Sequence, residues 1–375
     1  MALLFDDTRP YVDAEISAAM KRITEHIYFP LIVRFLFPDK SIADLKKFFL
    51  GIDTVHLFQT QVMHPSIASI VRQTCTGYTG RGTENASNER KAMFISNHRD
   101  ILLDAALLQM TLYAAGLETS EITFGSNLMK NQFAVDIGKS NKMFKIVRGG
   151  NMKEFYKNSM EVSSYMRYAI TEKHESTWIA QRNGRTKDGD DKTELAVLKM
   201  FSLSSEKPFA ENLDELNITP VAISYEYEPC DFLKAQETYI SRYGRYVKSE
   251  GEDMNSIMKG IMQPKGDVNL VITPAITLEE LIKCEREEKN ARFAMLAKII
   301  DDRIYSAYVL YKTNYIAFDI LHNTNAFHAY YTEEQKKEFI DYMNEGLKDI
   351  PGDMEELRSI FLGIYANPVK NTLHI

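Results

Sequence analysis

The segment "FISNHRDILLDAALL" (residues 94–108) decides the class of fold, because it passes from a buried strand through a polar turn into a helix. Residues 93–96 are an apolar run of strand length, and residues 101–115 carry apolar side chains at helical spacing. In an α/β fold, side chains at such a junction point into the crevice at the carboxyl end of the strand. His98 lies in this junction, so we predict a functional site around it.

The same alternation of strands and helices continues along the chain. Short apolar or β-branched runs predict strands at residues 93–96, 121–124, 144–147, 177–181, 218–225 and 269–273. Helical periodicity predicts helices at residues 101–115, 152–172 and 193–203. Strands separated by helices of this length are typical of parallel pairing. The expected fold class is α/β, with a mixed, largely parallel central sheet flanked by helices.

Helical extensions are predicted on both sides of this sheet. Residues 1–85 are expected to form an N-terminal helical region, residues 86–276 an α/β core and residues 277–375 a C-terminal helical region. Ser41 is placed to cap an N-terminal helix, and residues 76–90 indicate a strand followed by a turn. Three C-terminal helix starts have capping-box or similar spacing: Thr277 with Glu280, Thr332 with Gln335 and Asp353 with Glu356.

The composition is that of a globular, acidic protein. The chain has 375 residues, 45% of them hydrophobic, and a formal net charge of -7. A general nucleic-acid binder usually has a basic excess, so no nucleic-acid partner is expected. Cys75, Cys230 and Cys284 are widely spaced and odd in number, which fits neither a disulfide framework nor a zinc site. This pattern favours a reducing, cytoplasmic environment.

The sequence predicts neither a secretory signal nor a transmembrane helix. The first residues lack a positively charged leader, and no run reaches about 18 uninterrupted apolar residues. The nearest run is "IYFPLIVRFLF" (residues 27–37), which Pro30 and Arg34 interrupt. It fits a core helix or strand, and alternatively a segment that lies in a bilayer interface with Tyr, Phe and Arg as anchors.

Two acidic residues follow His98, and each is a candidate to orient it. An imidazole whose second nitrogen donates to a carboxylate is held in one tautomer and is a better base for taking a proton from a hydroxyl. Asp100 is placed to be the N-cap of the following helix, and Asp104 lies one turn further into it. Taken alone, a histidine near an aspartate is more often structural than functional.

The tripeptide "HRD" (residues 98–100) also occurs in the catalytic loop of protein kinases. That loop requires an asparagine five residues after the aspartate, and this chain has Ala105 there. No Asp-Phe-Gly follows either. The kinase interpretation is therefore excluded.

Two further strand ends carry arginines. The stretch "FKIVRGGNMKEF" (residues 144–155) ends a strand at Arg148 and continues with Gly149, and "WIAQRNGRTKDGDDKT" (residues 178–193) opens into a loop with Arg185. Glycines let an anion approach backbone N–H groups, and the arginine fork binds pairs of phosphate oxygens. A phosphate or carboxylate partner is the functional interpretation, and solvated surface arginines are the alternative.

Taken in order, these segments resemble the motifs of the glycerophospholipid acyltransferase family, whose members acylate glycerol 3-phosphate or lysophosphatidic acid. The family has Asn-His followed after four residues by Asp, which "NHRDILLD" resembles, and a strand ending in Arg, like "FKIVRG". Its Glu-Gly-Thr-Arg-Ser motif is similar in part to "NGRTKDG", and its apolar strand with a proline to "ITPVAISY". The resemblance spans about residues 94–225 and rests on order and spacing.

The resemblance implies that His98 is a general base, oriented by Asp104 or, less favoured, by Asp100. The activated hydroxyl would attack the thioester of an acyl-CoA or acyl-carrier-protein donor. The acceptor, a lysolipid or glycerol phosphate, would be bound by these residues: Arg148, Gly149, Asn183, Gly184 and Arg185. Neither a metal nor a cofactor is implied. A peripheral location on the cytoplasmic face of a membrane is implied, with residues 27–37 or another apolar N-terminal face reaching lipid.

Two positions depart from the family pattern. Five residues separate His98 from Asp104 instead of four, and one extra residue turns a helix by about 100°. Either the helix starts one residue later or Asp100 takes the orienting role. Asn183 stands where the family has Glu, which leaves the acceptor open. The alternatives are therefore an O-acyltransferase of a hydroxylated acyl-amino-acid lipid and a non-catalytic lipid-binding protein on the same fold.

Overall fold

A seven-stranded sheet forms the centre of the protein in the computed structural model, which describes residues 5–129, 131–147, 151–249 and 251–375. The strands are β1 Cys75–Arg81, β2 Met93–Ser96, β3 Glu121–Gly125, β4 Met143–Ile146, β5 Thr177–Ala180, β6 Ile218–Tyr225 and β7 Gly266–Ile272. Their order across the sheet is β1-β7-β6-β2-β5-β3-β4. The predicted α/β class with a mixed, largely parallel sheet is confirmed.

Five neighbouring strands, β2 to β6, run in the same direction. β2 pairs in parallel with β5 and β6, and β3 pairs in parallel with β4 and β5. β7 runs antiparallel to β6, and β1 is parallel to β7. The segments that follow the five parallel strands therefore all leave the sheet at the same edge, where α/β proteins commonly bind ligands.

The N-terminal helices pack beside the sheet. They are α1 Asp13–Glu25, α2 Phe29–Leu36, α3 Ile42–Leu50, α4 Val55–Phe58 and α5 His64–Thr74. Ser41 accepts the backbone N–H of Asp44 and so caps α3, as predicted. Strand β1 follows α5 directly, so this region also contributes a strand to the sheet. Within the described ranges, no helix combines the length and apolarity needed to cross a bilayer.

Among the described residues, seven α-helices lie between the strands of the core. They are α6 Leu103–Ala114, α7 Gln132–Ser140, α8 Met152–Thr171, α9 Leu195–Phe201, α10 Phe209–Asp214, α11 Asp231–Tyr243 and α12 Glu252–Met262. A capping box of Asn151 with Glu154 starts α8 at the predicted residue. Helix α6 begins two residues later than predicted, because the Asp100 carboxylate holds the N–H groups of Leu102 and Leu103 in a turn before the helix.

The C-terminal region is helical, as the capping signals indicated. Its helices are α13 Leu278–Glu285, α14 Ala291–Ala307, α15 Lys312–His322, α16 Glu333–Leu347 and α17 Met354–Leu373. Thr277 and Thr332 form the predicted capping boxes, and Asp353 accepts the N–H of Glu356. Helix α14 packs on one face of the sheet, and α17 packs on α11 and α15.

Both faces of the sheet are buried. Along β2, the side chains of Met93 and Ile95 join one apolar cluster with α8 and α14, and Phe94 joins another with α6. Successive side chains of a strand point to opposite faces, so continuous apolar runs mark strands covered on both sides. The candidate site lies beyond the carboxyl ends of these strands, where a buried polar residue, Asn97, follows β2 directly.

Candidate functional site

The site is built by segments that follow β2, β5 and β6 at one edge of the sheet. Asn97, next after β2, is fully buried and joins the other two segments. Its amide donates to the carboxylate of Asp191 and to the carbonyl of Ile223, and its oxygen accepts the N–H of Ile223 at 2.8 Å. This residue fixes the starting position of the turn that carries His98.

The imidazole of His98 contacts the carboxylate of Asp104. Its Nδ1 lies 2.9 Å from Asp104 Oδ2, and His98 as a residue is 8% exposed. Asp104 Oδ2 also accepts the backbone N–H groups of Arg99 at 2.6 Å and Asp100 at 2.9 Å. The other oxygen, Oδ1, accepts the hydroxyl of Tyr225 at 2.9 Å. Both oxygens of this buried carboxylate are therefore hydrogen-bonded.

The extra residue between His98 and Asp104 is absorbed before the helix. Because α6 starts at Leu103, Asp104 sits in its first turn and the preceding residues form a tight loop around the carboxylate. The expected rotation by one helical position does not arise, since the inserted residue lies outside the helical repeat. Of the two acids considered from the sequence, Asp104 is the one that the structure places against the imidazole.

Asp100 has a different environment. Its Oδ1 accepts the N–H groups of Leu102 and Leu103. Asp100 therefore closes the turn that precedes the first residue of α6, Leu103. Its Oδ2 is buried without a hydrogen-bond partner in the described part of the chain. Burial, and after it the charge of Asp104, raises the pKa of Asp100. Gly260 of α12 covers this oxygen, and a Cβ there would lie 2.2 Å from it.

The loop after β5 lies directly on the His98 turn. The N–H of Gln181 donates to the carbonyl of Ser96, and the N–H of Thr186 donates to the carbonyl of His98, both at 2.8 Å. Gly184 adopts the left-handed conformation, with φ of 82°, that lets this loop turn, and Asn183 is exposed at its tip. The backbone of the loop therefore has a fixed position relative to His98.

Arg185 is the unusual residue of this loop. Its side chain is largely buried, with 9% exposure, and its Nη1 has no hydrogen-bond partner among the described residues. No carboxylate that the structure describes forms an ion pair with it. The nearby Lys187 pairs with Glu237 instead. Arg185 is therefore a buried cation with an unpartnered Nη1, and its charge opposes the effect of burial on the pKa of Asp100. An arginine in this position can bind an anionic ligand.

Arg148 and Gly149 lie outside the described residues, so their predicted roles stay predictions. Two residues that the sequence interpretation did not select contact the site. Tyr225 ends β6 and binds Asp104, and the only signal for it was a hydroxyl at the end of an apolar strand. Arg99 lies inside the polar turn itself. In the described ranges, no group of three His, Cys, Asp or Glu side chains is arranged to hold a metal ion.

Arg99 is fully enclosed by a network of buried charges. Its guanidinium donates to Asp191 and, at 3.0 Å, to Glu228. Lys234 donates to Glu228 at 2.5 Å and to the carbonyl of Arg99 at 2.7 Å. Burial lowers the pKa of Arg99, but the charges of Asp191 and Glu228 outweigh it and hold the pKa above its ordinary value. The network contains two cations and two anions and is therefore neutral.

A cavity of about 500 Å³ lies between α6 and the helices α4 and α5. Its α6 wall is a stripe at helical spacing: Leu102, Ala105, Ala106, Met110 and Tyr113. The opposite wall includes Val55, Met63, His64 and Ile67. Leu102 belongs to the polar turn that carries Asp100, so one end of this mainly apolar cavity lies next to the site. The stripe is about 16 Å long at 1.5 Å per residue.

Comparison with solved structures finds a similarity to the crystal structure of the 1-acyl-sn-glycerophosphate (LPA) acyltransferase PlsC from Thermotoga maritima. The two chains are 13% identical, the match covers 76% of this chain and 91% of that chain, and the TM-score is 0.36. No protein-family model and no curated protein sequence matches the chain. The function is therefore argued from the site itself.

Proposed function

We propose that the protein is an acyltransferase that moves a fatty acyl group from an acyl thioester to the hydroxyl of glycerol 3-phosphate or of a lysolipid. The observation that carries the proposal is the pairing of His98 with Asp104 beside a loop whose buried Arg185 has spare donors. A held imidazole and an anion-binding arginine are the two groups needed to deprotonate and position a phosphate-bearing alcohol.

His98 is the general base in this proposal. The Asp104 carboxylate accepts the proton on Nδ1, so the free electron pair of the ring is on Nε2. Nε2 takes the hydroxyl proton as the acceptor oxygen attacks the thioester carbonyl carbon. The C–S bond then breaks, and the thiolate takes this proton from the imidazolium. The products are an ester and a free thiol. The reaction needs no acyl-enzyme.

Arg185 binds the anionic group of the acceptor. Its loop is hydrogen-bonded to the backbone of His98 through Thr186, so an anion held there has a fixed relation to the base. Arg148 and Gly149 are proposed to assist, and Asn183 and Gly184 to line the head-group end of the loop. The exposed Asn183 supplies hydrogen bonds without a charge, which leaves room for more than one head group.

The apolar cavity along α6 is proposed to hold an acyl chain. The lining stripe of about 16 Å along α6, with one end beside the polar turn, suits an extended chain whose carbonyl is at the site. For access to lipid, α2 exposes Leu31 at 71% and the residue preceding its N-cap, Ile27, at 81%. Apolar side chains on a short helix with basic neighbours suit a bilayer interface. We propose a peripheral location on the cytoplasmic face of a membrane.

The test is an acyl-transfer assay with purified protein, labelled acyl-CoA and acyl-carrier-protein donors, and a panel of acceptors. The panel contains glycerol 3-phosphate, lysophosphatidic acid in vesicles and an acyl-amino-acid lipid with a hydroxyl. We expect His98→Ala to lower the rate by about 10² to 10⁴. The exposed His328→Ala is the matched control and should retain full activity.

Circular dichroism and thermal unfolding are used to check that His98→Ala retains the fold. Turnover with the hydroxylated acyl-amino-acid lipid alone would transfer the proposal to that acceptor class. Absence of turnover with every acceptor, or turnover that His98→Ala leaves unchanged, would overturn it and favour a lipid-binding protein.

A further inference from the structure

We propose that Tyr225 is a positioning residue for His98, acting through Asp104, so that the site contains a His98–Asp104–Tyr225 chain. The inference rests on the proposed function, because it gives His98 the role of a base. It goes beyond that function by adding a residue from a strand distant in sequence. Tyr225 does not touch the substrate or the reacting atoms in this proposal.

The contacts leave the Asp104 carboxylate one orientation. Oδ2 faces His98 and the two backbone N–H groups of the turn, and Oδ1 faces the hydroxyl of Tyr225 at 2.9 Å. Asp104 is fully buried and Tyr225 is 1% exposed, so water does not replace these donors. The tyrosine hydroxyl is the only side-chain donor to Oδ1 among the described residues. Without it, the contacts to Oδ2 alone would hold the carboxylate.

The tyrosine itself is rigidly placed. It is the last residue of β6, opposite Val268 of β7, and its ring belongs to the apolar cluster that includes Phe94 and Leu108. Burial, and after it the charge of Asp104, raises the pKa of Tyr225 well above its ordinary value. The hydroxyl therefore remains protonated and donates. A donor fixed by the sheet holds the carboxylate, and the carboxylate holds the imidazole.

Removal of the hydroxyl has a predictable electrostatic sign. A neutral donor reduces the effective negative charge that Asp104 presents to the imidazole. In Tyr225→Phe that charge is less compensated, and the protonated form of His98 is favoured. The fraction of His98 that is free to accept a proton at neutral pH falls accordingly.

The chain offers a matched control. Tyr165 is also 1% exposed, and its hydroxyl donates to the buried carboxylate of Glu121 at 2.6 Å, outside the candidate site. Tyr165→Phe therefore removes the same kind of buried hydrogen bond at a comparable cost in stability. A merely structural role for Tyr225 predicts that the two variants behave alike. A positioning role predicts that only Tyr225→Phe changes the titration of His98.

The experiment measures His98 in the full-length protein with labelled histidine, its resonance assigned by its loss in His98→Ala. The pKa of His98 is read by NMR in wild type, Tyr225→Phe and Tyr165→Phe without substrate. In parallel, kcat and KM are measured across pH with the active donor and acceptor. For Tyr225→Phe we expect the upward titration shift, a fall in kcat of about five- to tenfold and a KM within about twofold of wild type.

A variant with a stronger hydrogen-bond donor at position 225 should move the His98 titration in the opposite direction. Incorporation of 3-fluorotyrosine in place of Tyr225 retains the hydroxyl and makes it more acidic, so the pKa of His98 should fall. This protein also tests the proposal if Tyr225→Phe fails to fold. The proposal is overturned if neither change moves the His98 titration beyond the shift seen in Tyr165→Phe. Because the titration needs no substrate, an inactive wild type would overturn the proposed function without deciding the role of Tyr225.

Discussion

Arg99 and Arg185 are both buried in the candidate site, at 1% and 9% exposure, yet their surroundings differ. Arg99 has two carboxylates within ion-pair distance, whereas Arg185 has none among the described residues. A buried charge is costly unless it is paired, so an unpaired one needs another explanation. The two arginines therefore differ in their carboxylate partners more than in their burial, and this difference underlies the proposal that Arg185 binds a ligand.

The region around Arg99 is tied to the C-terminal helices. The hydroxyl of Tyr365 in α17 accepts the N–H of Glu228 and donates to Asp231. The same helix contacts the Arg185 loop, where the amide of Asn367 donates to the carbonyl of Asp188 at 2.8 Å. The C-terminal region lies outside the resemblance noted in the sequence, yet it supports both arginines. The neutral charge network contacts the polar turn through Arg99, and Arg185 lies outside this network.

The largest expected effect comes from Arg99→Met. This change leaves Asp191 and Glu228 buried with fewer cations, so we expect a loss of about 3 to 5 kcal/mol in the free energy of unfolding. Urea unfolding at pH 7 measures it. Arg303→Met is the control, because its partner Glu280 is partly exposed and such pairs contribute about 1 kcal/mol or less. A loss for Arg99→Met no larger than for the control would contradict the structural role.

Arg185→Met should have the opposite profile. The change breaks no ion pair among the residues that the structure describes, so we expect the free energy of unfolding to change by less than about 1 kcal/mol. Loss of a charge-assisted contact should raise the KM for the phosphate-bearing acceptor by about 10- to 100-fold. Arg185→Lys retains the charge without the planar fork and should be intermediate. Steady-state kinetics with varied acceptor concentration measure the KM. An unchanged KM would contradict a role of Arg185 in acceptor binding.

The smallest expected effect is that of Tyr365→Phe, which tests the support behind Arg99. The variant loses hydrogen bonds to Glu228 and Asp231, and we expect about 1 to 2 kcal/mol less stability at pH 7. The KM for the acceptor should not change. Tyr227→Phe is the control, since its hydroxyl makes no hydrogen bond within the described residues.

This loss should depend on pH with a definite sign. Burial raises the pKa of Asp231 to about 6, above the value of about 3.9 in the unfolded chain. The carboxyl therefore costs stability as the pH rises from about 4 through 6. The hydroxyl of Tyr365 lowers this pKa, so its removal raises the pKa and the cost further. The stability lost in Tyr365→Phe should be greater at pH 7 than at pH 4.5. An equal loss at both pH values would argue against an effect of Tyr365 on the pKa of Asp231.

Much of the fold was predictable from local patterns. Strands β2 and β6 have the predicted bounds, because both are mainly apolar and are buried at every residue. The start of β7 was missed by three residues, since Gly266 and Asp267 are held by pairing with β1 rather than by their own propensity. The start of α6 was missed because a side-chain hydrogen bond from Asp100 competes with the first turn of the helix.

The sequence by itself determined the alternation of strands and helices and placed His98 and Arg185 in the segments that follow strands, because hydrophobic periodicity is a local property of the chain. Only the tertiary structure decided which aspartate meets the imidazole, since the direction of a side chain depends on where the helix begins. It also decided which arginine is paired. Partners such as Glu228 and Tyr225 are more than 120 residues away from the turn, and pairing across that separation exists only once the sheet has formed.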